Sequence, residues 1–347
     1  MTATRVTAGQ KLVGATIGNN DQLYVLVGGE TKKTIVGSGG YEYLSSGTAI
    51  ETHLLSGGNM VISGGIARGV ALQADAFVHV SAGGIASDIF INQGNTNGNW
   101  NGEIDVGSGG SANKIRVEVR GTIGVNSGGV VTNIVEHGSE HAIFGVGLNL
   151  NPGGVASNAV MSGYGRSYDD GTIYKLTLTG SEPGSMFVAI GDGGAVIGLT
   201  IDNDAFAQVA AGTHADNVVV NSGGTIYLSA GGTINNLTLN AGGTLVNGGG
   251  TINGLVNDGG TVKIGGDAYD AISASLAVAS GGVLSPSLAS AAAPSMLATQ
   301  ALTPVSLTAT AALAENAAIA SPIMATHSPL PMMNPSVHLG GMAVHLA

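Results

Sequence analysis

The chain of 347 residues contains no cysteine, which excludes disulfides, thiolate metal sites and cysteine nucleophiles. Charge is also scarce: only 10% of residues are charged, and 11 Lys and Arg stand against 22 Asp and Glu for a net charge of −11. The basic residues never form a patch; Arg116 and Arg120 come closest and are split by Glu118. Nucleic-acid binding rests on a basic stripe that neutralises phosphates, so a nucleic-acid partner is not expected, and attraction to an anionic membrane surface is disfavoured for the same reason. No run of seven or more apolar residues follows a basic start, so no ordinary secretory signal peptide is visible. No stretch reaches the roughly 20 uninterrupted apolar residues of a membrane helix.

Glycine and small aliphatics fill the space left by these absences. There are 59 Gly, and 44% of the residues are hydrophobic although only 4% are aromatic. Disordered chains combine low hydrophobicity with high charge, so the bulk of this chain is expected to fold. The clearest stretch is Asn221 to Ile264, NSGGTIYLSAGGTINNLTLNAGGTLVNGGGTINGLVNDGGTVKI, in which apolar and small polar residues alternate until a Gly pair interrupts. Alternation at period two marks a strand with one buried face, and the Gly pair supplies the positive φ of a tight turn.

The unit recurs. Gly232 opens TINNLTL, Gly250 TINGLVN, Gly194 AVIGLTI, Gly154 VASNAVM, Gly129 VVTNIVE, Gly110 SANKIRV, Gly84 IASDIFI and Gly65 IARGVAL, with looser copies after Gly47, Gly171 and Gly212. The common step is 18 to 20 residues. A repeat this short cannot bury its own apolar face and must stack on its neighbours. Three short apolar stretches per copy predict one turn of a three-sided parallel β-solenoid, an all-β fold of right-handed β-helix type. A β-sandwich also uses many short strands, but its turns would not recur at one period.

Three segments are expected. Residues 1–46 form an N-terminal cap and first coils, 47–284 the solenoid, and 285–347 a flexible or weakly structured tail rich in Ala, Pro and Met. Within the solenoid, Asn92 to Gly102, Glu136 to Gly147, Met161 to Asp170 and Gly180 to Ala189 read as insertions at one phase of the repeat, which would stack into a ridge along one side. The unusual polar and aromatic residues gather there: Trp100, His137, Glu140, His141, Tyr164, Arg166, Tyr168, Asp169 and Asp170. This ridge is the candidate binding surface.

Other constellations carry less. His137-Gly-Ser-Glu140-His141 fits the H-x-x-E-H of zinc peptidases, but that chemistry requires a helix that puts both His on one face, and Gly138 and Ser139 between strand-like runs predict a loop instead. No metal and no cofactor is expected. The acid pairs Asp169-Asp170, Asp202-Asp204 and Asp267-Asp270 read as solvated turn residues with almost no basic neighbours. Gly265 to Ser273 resembles one damaged copy of a calcium-binding nonapeptide without the tandem copies such sites need.

The coil consensus, Ser or Asn, any residue, Gly-Gly-Thr and then alternating aliphatics, resembles the passenger repeats of AIDA-type autotransporter adhesins of Gram-negative bacteria, with gaps from about Gly39 to Gly282. The resemblance implies a secreted or cell-surface β-helical passenger that mediates adhesion, self-association or biofilm formation, and it implies no catalytic residues. Its partners would be glycans or proteins of host or neighbouring cells, or other copies of itself. Some members carry heptose on Ser or Thr of the repeats, which implies a glycosyltransferase partner and, here, acceptors at Ser38, Ser56, Ser63, Ser81, Ser108, Ser127, Ser222 and Ser229, with Thr225, Thr233, Thr244 and Thr251 as further hydroxyl positions. An autotransporter ends in a membrane barrel, and no alternating strands of that kind follow Gly282, so the expectation is a passenger fragment, a protein exported through a C-terminal signal and a separate channel, or a domain detached from a longer ancestor. The alternative function, from a different class, is a carbohydrate-active β-helix enzyme, a polysaccharide lyase or hydrolase with acids in the inserted loops.

Overall fold

A computed structural model describes residues 2–18, 20–92, 102–138 and 146–265. Every regular element among them is a β-strand, and every named strand pairs in parallel with strands of the neighbouring coils. Each coil has one short strand and one long strand. The short strands, from Ala3–Val6 to Thr261–Ile264, form a 14-stranded sheet, and the long ones, from Lys11–Val13 to Thr251–Asp258, form a second sheet of 15. The second count is larger because the first two coils split their long strand, into Lys11–Val13 with Thr16–Ile17 and Glu30–Lys32 with Ile35–Val36. The fold is thus a parallel β-solenoid of about 13 turns.

The long strand makes two sides of the three-sided coil. In Thr233–Asn240, Ile234, Leu237 and Leu239 are buried, so one interval is three residues instead of two. The extra residue is Asn236, at φ 56°. Pairing steps over it: Asn235 pairs with Asp216 and Leu237 with Val218. One left-handed residue therefore turns the strand through a corner without breaking the sheet. Asn133, Asn158 and Asn217 hold the same position, as do Gly69, Gly198 and Gly254, the residue types for which positive φ costs least, whereas Glu51, Asp88, Lys114 and Lys175 take the same left-handed corner in other coils.

Between the short and long strands, the two glycines of each pair do different jobs. Gly153 has φ 82°, whereas Gly154 is needed for space, because a Cβ there would sit 2.5 Å from the Val125 carbonyl oxygen of the coil before. Asparagine side chains bind the coils together at other corners. Asn240 Nδ2 donates to Asn221 Oδ1 at 2.6 Å, and Asn221 donates in turn to Asp202. Asn253, Asn235 and Asp216 repeat the arrangement, and so do Asn151, Asn126 and Asp105. Each ladder ends on an Asp, which accepts the last amide without having to donate one.

The lumen is filled by rows of aliphatic side chains stacked from coil to coil. One row runs Val25, Leu44, Ile62, Val80, Val106, Val125 and Leu150, all buried. The residues before Gly47 are coils of these same two sheets. The tail expected over 285–347 lies outside the described residues.

Candidate functional site

The segments that interrupt the coils do share one phase. Residues 93–101, 139–145 and 181–185 each fall between the end of a long strand and the start of the next short one. Met161 to Asp170 is not an insertion, and this corrects the expectation drawn from sequence. The long strand Val155–Gly163 and the short strand Gly165–Asp169 run almost directly into one another, separated by Tyr164 alone. The coil is shorter than its neighbours; it only looks irregular because Gly165, Ser167 and Asp169 point inward where other coils carry aliphatics.

The ridge residues therefore separate into different environments. Trp100, Glu140 and His141 lie outside the described residues. His137 is exposed at the end of the long strand Val130–Gly138, with Nδ1 3.0 Å from Ser162 Oγ, so the first His of H-x-x-E-H sits on a strand. Ser162 also donates to the Glu136 carbonyl oxygen, which fixes its hydroxyl between the two coils. Tyr164 and Asp170 are half-buried at the ends of the Gly165–Asp169 strand, while Arg166 and Tyr168 are exposed on the outer face of the short-strand sheet. Asp169 is buried, which contradicts its place among the ridge residues. Period two explains it, since neighbours of an outward Tyr168 must face in.

The outer face of the short-strand sheet lines up aromatic residues from successive coils. Tyr24 and Tyr43 stack with centroids 5.0 Å apart, Tyr41 stacks on Tyr43 at 5.7 Å, and the Arg5 guanidinium lies 6.0 Å from the Tyr24 ring. Burial and the neighbouring phenols raise the Tyr43 hydroxyl above its ordinary pKa. Farther along, Tyr168 meets Phe187 edge-on at 6.3 Å, and Phe187 stacks on Phe206 at 5.5 Å. Phe206, Tyr227 and Val246 form a small apolar cluster of their own on this face, separate from the lumen. In parallel, in-register coils, identical positions lie one strand spacing apart, so aromatic rings placed there stack automatically.

Three acids face the lumen. Glu42 is buried and accepts hydrogen bonds from Thr31 Oγ1 at 2.7 Å and Thr52 Oγ1 at 3.0 Å, from the long strands of two coils; burial raises its pKa all the same. Glu136 stands in a row with Val117 and Met161 and is fully buried, and both carboxyl oxygens lack a hydrogen-bond partner. Desolvation, helped by nearby Asp169, pushes it up to about 8. Asp169 is raised well above the usual range by the same burial, although Ser167 Oγ lies 3.1 Å from its Oδ2. Burial thus favours the neutral form of both, and both are closed off from any polymer outside. Residue phase offered a signal for each: Glu136 ends VVTNIVE at the place where TINNLTL has Leu239.

The serines expected to accept sugars lie on two edges. Ser38, Ser56 and Ser222 sit where long strands lead into short ones, and Ser63, Ser81, Ser108, Ser127 and Ser229 where short strands lead into long ones. All are exposed except Ser81 and Ser229, which are half-buried. Ser56 Oγ lies 3.2 Å from Asp75 Oδ2, and Ser229 accepts from Gln208 at 3.3 Å. Among the described residues, no three metal-ligating side chains come together, and no helix is long and apolar enough to cross a membrane.

These features define a repeat protein of the β-solenoid class with a filled lumen, which resembles an autotransporter adhesin passenger. The fold matches a solved structure, the TibC-catalysed hyper-glycosylated fragment of TibA, with a TM-score of 0.66 and 28% sequence identity, over 77% of this chain and 93% of that one. No protein-family model and no curated protein matches the chain.

Proposed function

We propose that this chain is a non-enzymatic surface or secreted adhesion protein, a passenger-type solenoid whose outer face and inserted corners make contacts with other cells or with other copies of itself. The likeness to the TibA fragment over 93% of its length carries the reading. Binding would draw on many weak contacts repeated along the coils, with avidity standing in for a single deep site. The inserted segments 93–101, 139–145 and 181–185, together with outward Arg166 and Tyr168, would supply the binding surface, and host or neighbouring-cell glycans or proteins would be its targets. A glycosyltransferase would act on the corner serines, since that neighbour is hyper-glycosylated by TibC and Ser38, Ser56, Ser63, Ser108, Ser127 and Ser222 are exposed here. The same likeness supports a secreted or cell-surface location.

The alternative, a polysaccharide lyase or hydrolase, needs a convergent cluster of acids with a basic partner in reach of a polymer. The two acids that burial perturbs most, Glu136 and Asp169, face the lumen. The reading is tested by displaying the chain on a non-adherent bacterium and scoring adhesion and autoaggregation. Arg166→Ala with Tyr168→Ala, both outward and exposed, should lower adhesion several-fold with no loss of stability, and unchanged adhesion would remove this face from the binding surface.

A further inference from the structure

Two carboxyls in the lumen have no protein charge to answer them. Glu136 and Asp169 are 0% and 1% exposed, both oxygens of Glu136 and Oδ1 of Asp169 lack a hydrogen-bond partner, and no Lys, Arg or His is buried among the described residues. The Asp169 charge acts on Glu136, so the two groups face one stretch of lumen although they come from different coils. A buried carboxylate is costly to leave alone, and is normally paired with a cationic side chain or bound to a metal.

Neutral oxygens crowd the same place. Ser167 Oγ meets the Leu148 carbonyl oxygen and lies 3.1 Å from Asp169 Oδ2, yet its hydroxyl has a single hydrogen, so it cannot donate to both. The short-strand sheet is interrupted at this point. Val146 pairs with Gly165 and Leu150 with Asp169, but the residues between do not pair, and the Tyr168 N–H goes to Asn149 Oδ1 at 3.3 Å instead of to a carbonyl of the ladder. Side-chain volume is missing here as well. Ala156, Ala159 and Gly165 stand in register with the larger Val131, Ile134 and Val146 on one side and with Ile173, Leu176 and Met186 on the other. A gap among aliphatics only loses contacts, whereas a gap lined by oxygens suits an ion.

We propose that Glu136, Asp169 and Ser167, with the Leu148 carbonyl, hold a calcium ion inside the lumen. Two carboxylates balance its charge, and the neutral oxygens make up for there being only two acids. Donors that are all oxygen suit a hard cation and not zinc. Calcium accepts an irregular shell of about six to eight oxygens, whereas magnesium demands a near-regular octahedron that donors fixed on three successive coils do not provide. The ion would tie those coils together. Because the site is closed to solvent, it fills as the coils fold and empties only when they open. Without calcium, protons alone can neutralise the two carboxyls, and that cation-free chain is the one whose alkaline stability Glu136 limits.

The test uses the full-length chain refolded from urea with CaCl2 and then desalted. Atomic emission should count about one calcium per chain in the wild type and less than a tenth as much in Glu136→Gln and in Asp169→Asn, both close in shape to the residues they replace. Asp258→Asn, which removes an exposed acid elsewhere, should leave the calcium in place. A second readout is independent of retention: hydrogen exchange of the Val130–Gly138 amides should be at least tenfold slower after refolding with CaCl2 than with EDTA, a difference absent with MgCl2 and absent in Glu136→Gln. No retained calcium, with equal exchange in CaCl2 and EDTA, would overturn the proposal in favour of carboxyls neutralised by protons. Calcium retained equally by the wild type and both variants would place the ion on the outer surface and would also overturn it.

Discussion

Replacing Glu136 by Gln should make this solenoid more stable at alkaline pH. The wild-type carboxyl is wholly buried, has no hydrogen-bond partner and is pushed up to about 8, against an ordinary value of 4.5. Its folded-state pKa lies above the unfolded one, so the unfolded chain loses this proton first as pH rises. Stability is unaffected by the group below about pH 4.5, falls between 4.5 and 8, and stays low above 8. A difference of roughly 3.5 pKa units at about 1.4 kcal/mol each sets the full loss at about 5 kcal/mol, with about 3 kcal/mol already lost at pH 7. Gln has nearly the same shape and no titration, but its buried amide costs about 1–3 kcal/mol where it finds no partner. The variant should therefore be less stable than wild type near pH 4 and more stable at pH 9. Urea melts from pH 4 to 9, read alongside hydrogen exchange of the Val130–Gly138 amides because coils of a solenoid can open locally, would show the two curves cross. A constant offset between them across that range would refute the reasoning.

The corner glycines and the asparagine ladders carry further predictions. Gly154→Ala forces a Cβ against the Val125 carbonyl and should cost about 1–3 kcal/mol, whereas Gly193→Ala meets open space and should cost only about 1 kcal/mol for its positive φ, as chemical denaturation would measure. Asn221→Ala removes a donor from Asp202 and an acceptor from Asn240 together, so it should cost about 1–3 kcal/mol. Thr31→Val strips one of two hydroxyl donors from buried Glu42 and should raise that carboxyl's pKa further, with a titration followed by carboxyl NMR as the check.

Much of this architecture is legible in the sequence because a solenoid writes each coil in the same phase. TINNLTLNAGG after Gly232 states the inward places, the left-handed corner at Asn236 and the turn at Gly242-Gly243, and the structure places each of them so. The same phase identifies three lumenal acids, Glu42, Glu136 and Asp169, yet residue type pulls the other way: a carboxylate is read as solvated, and burial is the exception. The segment GYGRSYDDG, for the same reason, looks like an inserted loop, because its inward positions are filled by Gly165, Ser167 and Asp169 instead of aliphatics. Which outward residues make a binding surface is not written in the period at all. Outward positions face water whatever occupies them, so stacking of Tyr24 on Tyr43 or of Phe187 on Phe206 follows only from the coil-to-coil register.

The central claim is that this solenoid works by adhesive contact through its outside. Its most direct test is to measure the purified full-length chain for binding to cells and immobilised glycans and for self-association by light scattering, beside the Arg166→Ala/Tyr168→Ala chain. The account predicts that the wild-type chain binds or clusters and that the variant, equally stable, does so several-fold less. An inert monomer that shortens a polysaccharide chain instead would contradict it.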